Sequence, residues 1–433
     1  MSLFSSAGFR SLPLPIGQLS LAAVLNCGQS FRWSCHPLAC ADSKSQASPN
    51  DTSNEYRLCL QDRVICVAQN NKELLYRAIF PQTPICEGSS AQALRDGETL
   101  SFIRDYFQLD QDLLKLYEVW GENDATFRNL KDRFSGLRML RQDPWETLVS
   151  FICSANNNIS RITKMVQNLG IHFSEPLALP SSQTNNQKYH PFPPPSALAP
   201  TSVADKLREL GFGYRAKFIQ KTAEMLMEEH GSDAEIFKWL NSLRSRPTDE
   251  ARAELLKLMG VGRKVADCIL LMSLDKPEVV PVDTHVFQIA VKYYGFKGGS
   301  GSKLTMTPKL YDDITAKLVS IWGSYSGWAQ TVLFTADLKA FANYNLPVAP
   351  SADQDTPVKR TISMLPTPSP SPSPKKRKRT SATASSALEV TSITTQESEL
   401  LEDYGIQRRL RSRKVTSSVI TSSNLSLSSG SPT

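Results

Sequence analysis

The stretch LKLMGVGRKVADCILLMSLDKPEVVPVDTH, residues 256–285, constrains the fold of this chain more than any other. Its periodicity predicts a helix, a tight turn at Gly260 and Gly262, a second helix over 263–274, an extended return and another helix opened by Asp283. Glycine allows the positive backbone angles of a tight turn and a close approach to another molecule. The outward N–H groups of the second helix form an anion site, although a hairpin buried in a core is an equal alternative.

Lys264 stands on the first turn of that second helix, where the helix dipole disfavours a cation by a few tenths of a kcal/mol. The dipole and partial burial lower the pKa of a lysine, and a neutral amine is what covalent catalysis needs. The helix is about 18 Å long and the return can span about 26 Å, so Asp283 can come back level with Lys264. We predict that the two act together; Asp283 as a simple helix cap is the alternative, and both roles are compatible.

Composition divides the chain of 433 residues, which is too long for one ordinary domain. We predict a disordered start over 1–9, an α+β domain over 10–117, an all-α domain over 118–345 and a disordered Ser/Thr/Pro-rich tail over 346–433. Short alternating runs predict antiparallel strands in the first domain, at QSFRWS, YRLCLQD, RVICVAQ and LLYRAIF, followed by a helix at TLSFIRDYFQL.

The second domain shows helical periodicity. One helix is predicted to start at Asp143. Asp143 caps it, Pro144 takes the first helical position and Glu146 completes a capping box. The Pro-rich insertion at 174–202 predicts a surface loop. Further helices are predicted over residues 160–170, 203–210, 214–230, 234–243, 249–259, 263–274, 284–294, 309–322 and 326–342.

The formal net charge is +7, and the tail contributes +5 of it from 12 Lys/Arg and 7 Asp/Glu. A mildly basic folded part suits a polyanion partner without proving one. The eight cysteines are irregularly spaced, so we expect reduced thiols in an intracellular protein. Cys35, His36 and Cys40 lack a second ligand pair at zinc spacing, and we predict no metal site. No apolar run approaches the roughly 20 residues that span a membrane.

Two segments bear on localisation. The run KKRKR at 375–379 is typical of a nuclear import signal or a loose nucleic-acid contact, and a solvated charge run is the alternative. The first 41 residues contain no Asp or Glu, which fits a mitochondrial transit peptide as well as a short disordered start. We predict the nucleus, with the mitochondrion as a second location.

The stretch LMGVGRKVADC followed by VPVDTH resembles the helix-hairpin-helix Gly/Pro…Asp superfamily of base-excision DNA glycosylases. With GQSFRW, SFICSANNNISRI, LGFGYRAKFI and WGSYSGWAQTVLFTADL, in consistent order between 10 and 342, the chain resembles eukaryotic 8-oxoguanine DNA glycosylase/AP lyase. The resemblance implies an α+β fold, in which a twisted antiparallel sheet, similar to half of a TATA-binding protein, packs on an all-α helix-hairpin-helix domain.

The resemblance also implies the chemistry. Lys264 would attack C1′ of the damaged nucleotide, expel the base and form a Schiff base, and β-elimination would then nick the strand. Asp283 would stabilise the developing sugar cation. Gly260, Gly262 and His285 would contact DNA phosphates, although a structural histidine is about as common.

Recognition of the flipped base is implied for four residues. The Gly28 carbonyl would accept from the N7–H that 8-oxoguanine has and guanine lacks. Phe334 and Cys268 would pack on the two faces of the base, and Gln330 would read its Watson–Crick edge. From spacing alone, ordinary core packing is the commoner role of Phe334 and Cys268.

Four further residues are implied to contact the opposite strand. Asn156 would fill the gap left by the flipped nucleotide, Tyr214 would wedge into the stack, and Arg161 and Arg215 would contact the orphaned cytosine. A solvated charge is the usual role of an isolated arginine. We also predict that Arg263, beside Lys264, lowers the pKa of that lysine further.

No cysteine follows Cys268, so the four-cysteine iron–sulfur cluster of related glycosylases is not expected. We expect no cofactor, apart from a structural cation held by the hairpin when DNA is bound. The expected partners are double-stranded DNA containing 8-oxoguanine opposite cytosine and downstream repair factors, and a monomer suffices. Two alternatives remain: a glycosylase for another base, such as an alkylated purine, and a non-catalytic DNA-binding scaffold. The combination of Lys264 with Asp283 argues against both.

Overall fold

The computed structural model describes residues 8–38, 54–81, 89–184, 186–297 and 306–346. These residues fall in one compact unit of the chain. The predicted tail beyond 346, most of the predicted disordered start, Cys40 and the basic run at 375–379 lie outside the described residues.

The described N-terminal residues form a five-stranded antiparallel sheet with the strand order β1-β5-β4-β3-β2. The register pairs Tyr56 with Val67 and Val67 with Tyr76 across the three central strands. The strands are β1 (Arg10–Pro13), β2 (Ser34–Pro37), β3 (Asn54–Cys59), β4 (Val64–Gln69) and β5 (Glu73–Ile79). The expected antiparallel sheet is confirmed, but QSFRWS is wrong as a strand, because only its last residue belongs to β2 and the rest forms a loop.

Both faces of the sheet are covered, which explains why β3 and β4 are buried almost throughout. One face carries residues such as Leu58 and Ile65 and packs against Ile103 and Phe107, at the end of the following helix. The other face carries residues such as Cys66 and Ile79 and packs against Tyr189. Alternate side chains of a strand point to opposite faces, so a sheet covered on both sides loses the simple polar–apolar alternation.

The Pro-rich insertion, predicted as a surface loop, keeps many exposed residues but also contains two short helices and covers that second face with buried side chains. Tyr189 and Phe192 are 6% and 4% exposed. Gln61 Nε2 donates to the Phe192 carbonyl at 2.9 Å, and Trp145 Nε1 donates to the Pro193 carbonyl at 2.9 Å. Proline-rich sequence lacks helical periodicity. Its apolar rings can nevertheless pack against a sheet, and its free carbonyls can accept hydrogen bonds from neighbouring side chains.

The remaining described residues are mostly helical, as predicted. The helices are α1 (Leu21–Val24), α2 (Ser89–Tyr106), α3 (Leu113–Asn123), α4 (Ala125–Leu130), α5 (Pro144–Ser154), α6 (Ile159–Phe173), α7 (Ser181–Thr184), α8 (Pro195–Leu198), α9 (Ser202–Glu209), α10 (Arg215–His230), α11 (Asp233–Ser242), α12 (Thr248–Leu255), α13 (Arg263–Ser273), α14 (Thr284–Tyr293), α15 (Pro308–Trp322) and α16 (Ser326–Asp337). Short 3₁₀ turns occupy Gly323–Tyr325 and Lys339–Phe341.

Capping accounts for the start of several helices. Asp143 Oδ1 accepts from Glu146 N at 2.8 Å and opens α5, with Pro144 in the first helical position, as predicted. Asn158 opens α6 in the same way by accepting from Arg161 N. No helix among the described residues is long and apolar enough to cross a membrane.

Helix α13 lies at the centre of the helical part. Its residues from Val265 to Ser273 are all buried, and it packs against α5. At its C-terminal end, Arg141 forms ion pairs with Asp105 and with Asp275, both at 2.7 Å, and so joins α2 to the turn after α13. The helix that carries Lys264 is therefore fixed along most of its length.

Candidate active site

The hairpin before α13 uses its two glycines differently. Gly260 has φ +80°, and a Cβ there would lie 2.7 Å from Phe218 Cβ, so both the backbone angle and the space require glycine. Gly262 has an ordinary φ of −92°, and a Cβ there would meet no atom within 4 Å. Gly260 thus makes the turn, whereas Gly262 leaves open space in front of the first N–H groups of α13.

Lys264 is the second residue of α13 and is half-buried. Its Nζ lies 5.4 Å from the centroid of the Phe151 ring, which α5 carries. Phe151 in turn makes an edge contact with Phe31 at 5.9 Å between centroids. An ammonium over an aromatic face is stabilised electrostatically, so this contact favours the charged form of the amine.

The prediction that the pKa of Lys264 is lowered was wrong. Burial lowers this pKa, but the neighbouring Cys268 and Asp283 together raise it by more, so that it lies above its usual value. Lys264 is therefore an ammonium at neutral pH. Burial also raises the pKa of the Cys268 thiol, to about 11, which keeps that thiol neutral.

Asp283 caps α14 with one oxygen only. Its Oδ1 accepts from His285 N at 3.0 Å and from Val286 N at 3.1 Å. These two hydrogen bonds fix the carboxylate, while the charge of Asp283 acts on Lys264. The predicted cap and the predicted proximity to Lys264 thus coexist in one side chain.

Arg263 does not act on Lys264 as predicted. Its guanidinium lies 4.3 Å from the centroid of the Tyr311 ring, and its Nη2 lies 2.5 Å from Asp312 Oδ1. Its charge is not among the causes that shift the pKa of Lys264. Successive residues on a helix point about 100° apart, so Arg263 and Lys264 face different neighbours.

The loop at Gly28 has a fixed conformation next to α6. Gly28 has φ +90°, and a Cβ there would lie 2.9 Å from Ile159 Cδ1. The next residue anchors the loop, since Gln29 Oε1 accepts from Leu140 N at 3.0 Å and the Gln29 carbonyl accepts from Gln142 Nε2 at 2.9 Å. The Gly28 backbone is therefore held in one conformation, and its role in base recognition remains a prediction.

Helix α16 carries the other two predicted base-binding residues one turn apart. Gln330 is 5% exposed, and its amide makes no hydrogen bond to the described residues. Phe334 is half-buried and makes an edge contact with His285 at 5.9 Å between ring centroids. His285 lies in the first turn of α14, which Asp283 caps. This contact therefore brings Phe334 of α16 close to the start of α14.

The predicted strand-contacting residues form a second cluster between α5 and α10. Asn156 is exposed with φ +47°, in the turn between α5 and α6. Tyr214 is 48% exposed, and its hydroxyl donates to the Ala155 carbonyl at 3.0 Å. Arg161 Nη2 donates to the Gly211 carbonyl at 3.1 Å, which ties the two turns together.

Arg215 is buried behind the same turn. It is only 3% exposed, and its guanidinium donates to the carbonyls of Ala155 and Asn156, each at 2.9 Å. It therefore supports the turn that carries Asn156. A contact between Arg215 and a cytosine remains a prediction.

Sequence reasoning missed three residues near Lys264. Phe151 was visible only as one member of an apolar stripe. Asp267 and Tyr311 were not singled out, although a charged residue one turn after Lys264, on a helix that is otherwise apolar, was a usable signal. No cluster of three or more His, Cys, Asp or Glu residues that could hold a metal ion occurs in the described part of the chain.

Comparison with known proteins places this site in a class. Residues 149–308 match the HhH-GPD superfamily of base excision DNA repair proteins. Residues 11–148 match the N-terminal domain of 8-oxoguanine DNA glycosylase. The chain belongs to the 8-oxoguanine DNA glycosylase family.

Relatives and solved structures agree with this placement. The N-glycosylase/DNA lyase of Saccharomyces cerevisiae is 35% identical over 76% of this chain and 86% of its own length. The N-glycosylase/DNA lyase OGG1 of Arabidopsis thaliana is 43% identical over 54% of this chain and 61% of its own length. The Clostridium acetobutylicum 8-oxoguanine glycosylase/lyase, in complex with double-stranded DNA containing cytosine opposite 8-oxoG, is 27% identical, covers 76% of this chain and 93% of its own, and has a TM-score of 0.56.

Proposed function

We propose that this protein is a bifunctional DNA glycosylase/AP lyase that excises 8-oxoguanine opposite cytosine from double-stranded DNA. The observation that carries the proposal is that Lys264 stands on the first turn of α13, Asp283 caps α14, and the charge of Asp283 acts on Lys264. An amine that can become a nucleophile and a fixed carboxylate that can stabilise positive charge are the two groups that this reaction needs. The names of the yeast and Arabidopsis relatives support the same activity.

Lys264 Nζ would form a bond to C1′ as the bond from C1′ to the base breaks, and the base would leave with the electron pair and take up a proton. Opening of the sugar ring would give a Schiff base, and loss of a proton from C2′ would expel the 3′ phosphate. Because Lys264 begins as an ammonium, it must lose a proton before it attacks. The proton that Lys264 loses balances the proton that the departing base takes up.

The base would be read between Gly28 and α16. The Gly28 carbonyl would accept from N7–H, Gln330 would read the Watson–Crick edge, and Phe334 and Cys268 would pack on the two faces. Asn156 would fill the gap left by the flipped nucleotide, Tyr214 would wedge into the stack, and Arg161 and Arg215 would contact the orphaned cytosine. Arg215 would also support the turn of Ala155 and Asn156.

We propose that catalysis needs no cofactor and no iron–sulfur cluster. The hairpin carbonyls before α13 are suited to hold a cation when a DNA phosphate is bound. The basic run at 375–379 supports the nucleus as the main location, with the mitochondrion as a second. The chain would act as a monomer on DNA and pass its product to later repair factors.

The test is borohydride trapping on a duplex with one 8-oxoguanine opposite cytosine. Wild type, Lys264→Gln and Lys257→Gln would be compared, because Lys257 is an exposed lysine of the same hairpin, paired with Glu254. We expect a covalent adduct from wild type and Lys257→Gln, no adduct from Lys264→Gln, and none on a duplex with undamaged guanine.

Other outcomes would point elsewhere. Base release without an adduct in wild type would mean a water-using glycosylase and a structural Lys264. An adduct with a duplex that contains an alkylated purine, and none with 8-oxoguanine, would change the substrate. DNA binding without adduct or release would leave a non-catalytic scaffold.

A further inference from the structure

A buried chain of hydrogen bonds runs behind the pair formed by Lys264 and Asp283. Asp267 lies one turn after Lys264 on α13, and its Oδ2 accepts from the Tyr311 hydroxyl at 2.6 Å. The same hydroxyl accepts from Val282 N at 3.0 Å. Val282 directly precedes Asp283, so this chain joins the helix of the amine to the backbone of the carboxylate through one phenol oxygen.

Two arginines hold this connection in place. Arg252 Nε donates to Asp267 Oδ1 at 2.7 Å, which leaves the other oxygen of Asp267 for Tyr311. Arg263 stacks over the Tyr311 ring and lies 3.9 Å from Asp267 Oδ2. Asp267 is 2% exposed and Tyr311 is 4% exposed. A buried carboxylate and phenol in such contacts have few alternative positions.

The backbone of Asp283 is therefore fixed from both sides. Before it, Tyr311 holds Val282 N; after it, the Asp283 carboxylate holds the N–H groups of His285 and Val286. The second contact sets the direction of the carboxylate relative to α14. Of the two, the first contact fixes the position of Asp283 relative to α13, the helix on which Lys264 stands.

We propose that Tyr311, held by Asp267, is a positioning residue that sets the separation between the Lys264 amine and the Asp283 carboxylate. The inference rests on the proposed reaction at that pair. Tyr311 reaches neither DNA nor the reacting atoms, and it acts through Val282. Misplacement of a catalytic group by about 1 Å can cost about 100-fold in rate, so the loss of one hydroxyl has a measurable effect.

The test compares Tyr311→Phe with Tyr294→Phe. Both substitutions remove a phenol hydroxyl bonded to a buried aspartate, since the Tyr294 hydroxyl donates to Asp124 Oδ2 at 2.7 Å. Tyr294 follows the last residue of α14, at the opposite end from Asp283. Both variants therefore lose a hydroxyl-to-aspartate hydrogen bond, and thermal unfolding checks that both remain folded.

We expect the single-turnover rate of adduct formation, at saturating 8-oxoguanine duplex, to fall about tenfold in Tyr311→Phe, with DNA affinity within about twofold of wild type. Tyr294→Phe should keep the wild-type rate within about twofold. Equal slowing in both variants would mean general loosening and would overturn the proposal, as would an unchanged rate in Tyr311→Phe.

A double-mutant cycle separates positioning from a simple structural effect. If Tyr311 acts through Asp283, then adding Tyr311→Phe to Asp283→Asn should cost less than about twofold further in rate, because the positioned carboxylate is already gone. A further tenfold loss would contradict the assignment. Failure of wild type to form any adduct is a different result, and it would remove the proposed function instead.

Discussion

Lys264 Nζ lies 5.4 Å from the centroid of the Phe151 ring, so the amine of α13 rests on an aromatic face supplied by α5. The contact stabilises the ammonium, and Cys268 and Asp283 raise the pKa of Lys264 in the same sense. The surroundings of Lys264 thus keep the amine in its protonated form. Proton loss from Lys264 becomes a required step of the proposed reaction, and it can be examined through pH.

The first prediction concerns Cys268→Ala. A raised pKa means less neutral amine at a given pH, so the rate of adduct formation in wild type should rise with pH through the neutral range. The neutral Cys268 sulfur still accepts a hydrogen bond from the Lys264 ammonium, which is one cause of the raised pKa, so Cys268→Ala should move the rising limb to lower pH. Each unit of change in pKa alters the neutral fraction about tenfold.

Single-turnover pH–rate profiles check this prediction, with Cys153→Ala as the control. Cys153 is also buried, but it does not contribute to the pKa of Lys264. A limb that stays in place for Cys268→Ala, or that moves equally for Cys153→Ala, would contradict the assigned cause.

The second prediction concerns Asp283→Asn. Asparagine caps a helix about as well as aspartate, so α14 should remain in place while the negative charge is lost. We expect the single-turnover rate to fall roughly 100-fold or more, with little change in the midpoint of thermal unfolding. Asp143→Asn, at the cap of α5, is the matched control and should keep its rate. A similar loss in both variants would assign the effect to capping.

The third prediction concerns Gly28→Ala. A side chain at φ +90° is strained, and its Cβ would lie 2.9 Å from Ile159 Cδ1, so we expect a loss of about 1–2 kcal/mol in the free energy of unfolding. Gly97→Ala in α2 is the contrast, because a Cβ there meets nothing within 4 Å, and it should gain about 0.5–1 kcal/mol. Urea unfolding measures both; a stable Gly28→Ala would mean that the loop adapts easily.

The fourth prediction concerns the insertion that covers the sheet. Arg57 Nη1 donates to the Tyr189 hydroxyl at 2.9 Å in a buried setting, so Tyr189→Phe should cost about 1–3 kcal/mol in the free energy of unfolding. Tyr293→Phe, at a residue that is 43% exposed, should change it by less than about 0.5 kcal/mol. Equal values in urea unfolding would show that the insertion adds no stability through this bond.

Local sequence predicted most helices because the relevant signals lie close together along the chain. The cap at Asp143, the turn at Gly260 and the helical periodicity of α13 each involve residues within one or two turns. The same locality explains the failures. QSFRWS has the composition of a strand. Whether such a stretch pairs with another strand depends on residues distant in sequence, and its own pattern does not predict that pairing.

The two helix starts that carry Lys264 and Asp283 follow from local sequence, since turn and cap residues act on their own neighbours. Three other features follow only from the packing of the helices: the Phe151 ring near the amine, the Tyr311 hydroxyl at Val282 N and the burial of Arg215. These contacts join residues from different helices. They depend on how the helices pack, and packing is set by the whole set of side chains rather than by any short stretch.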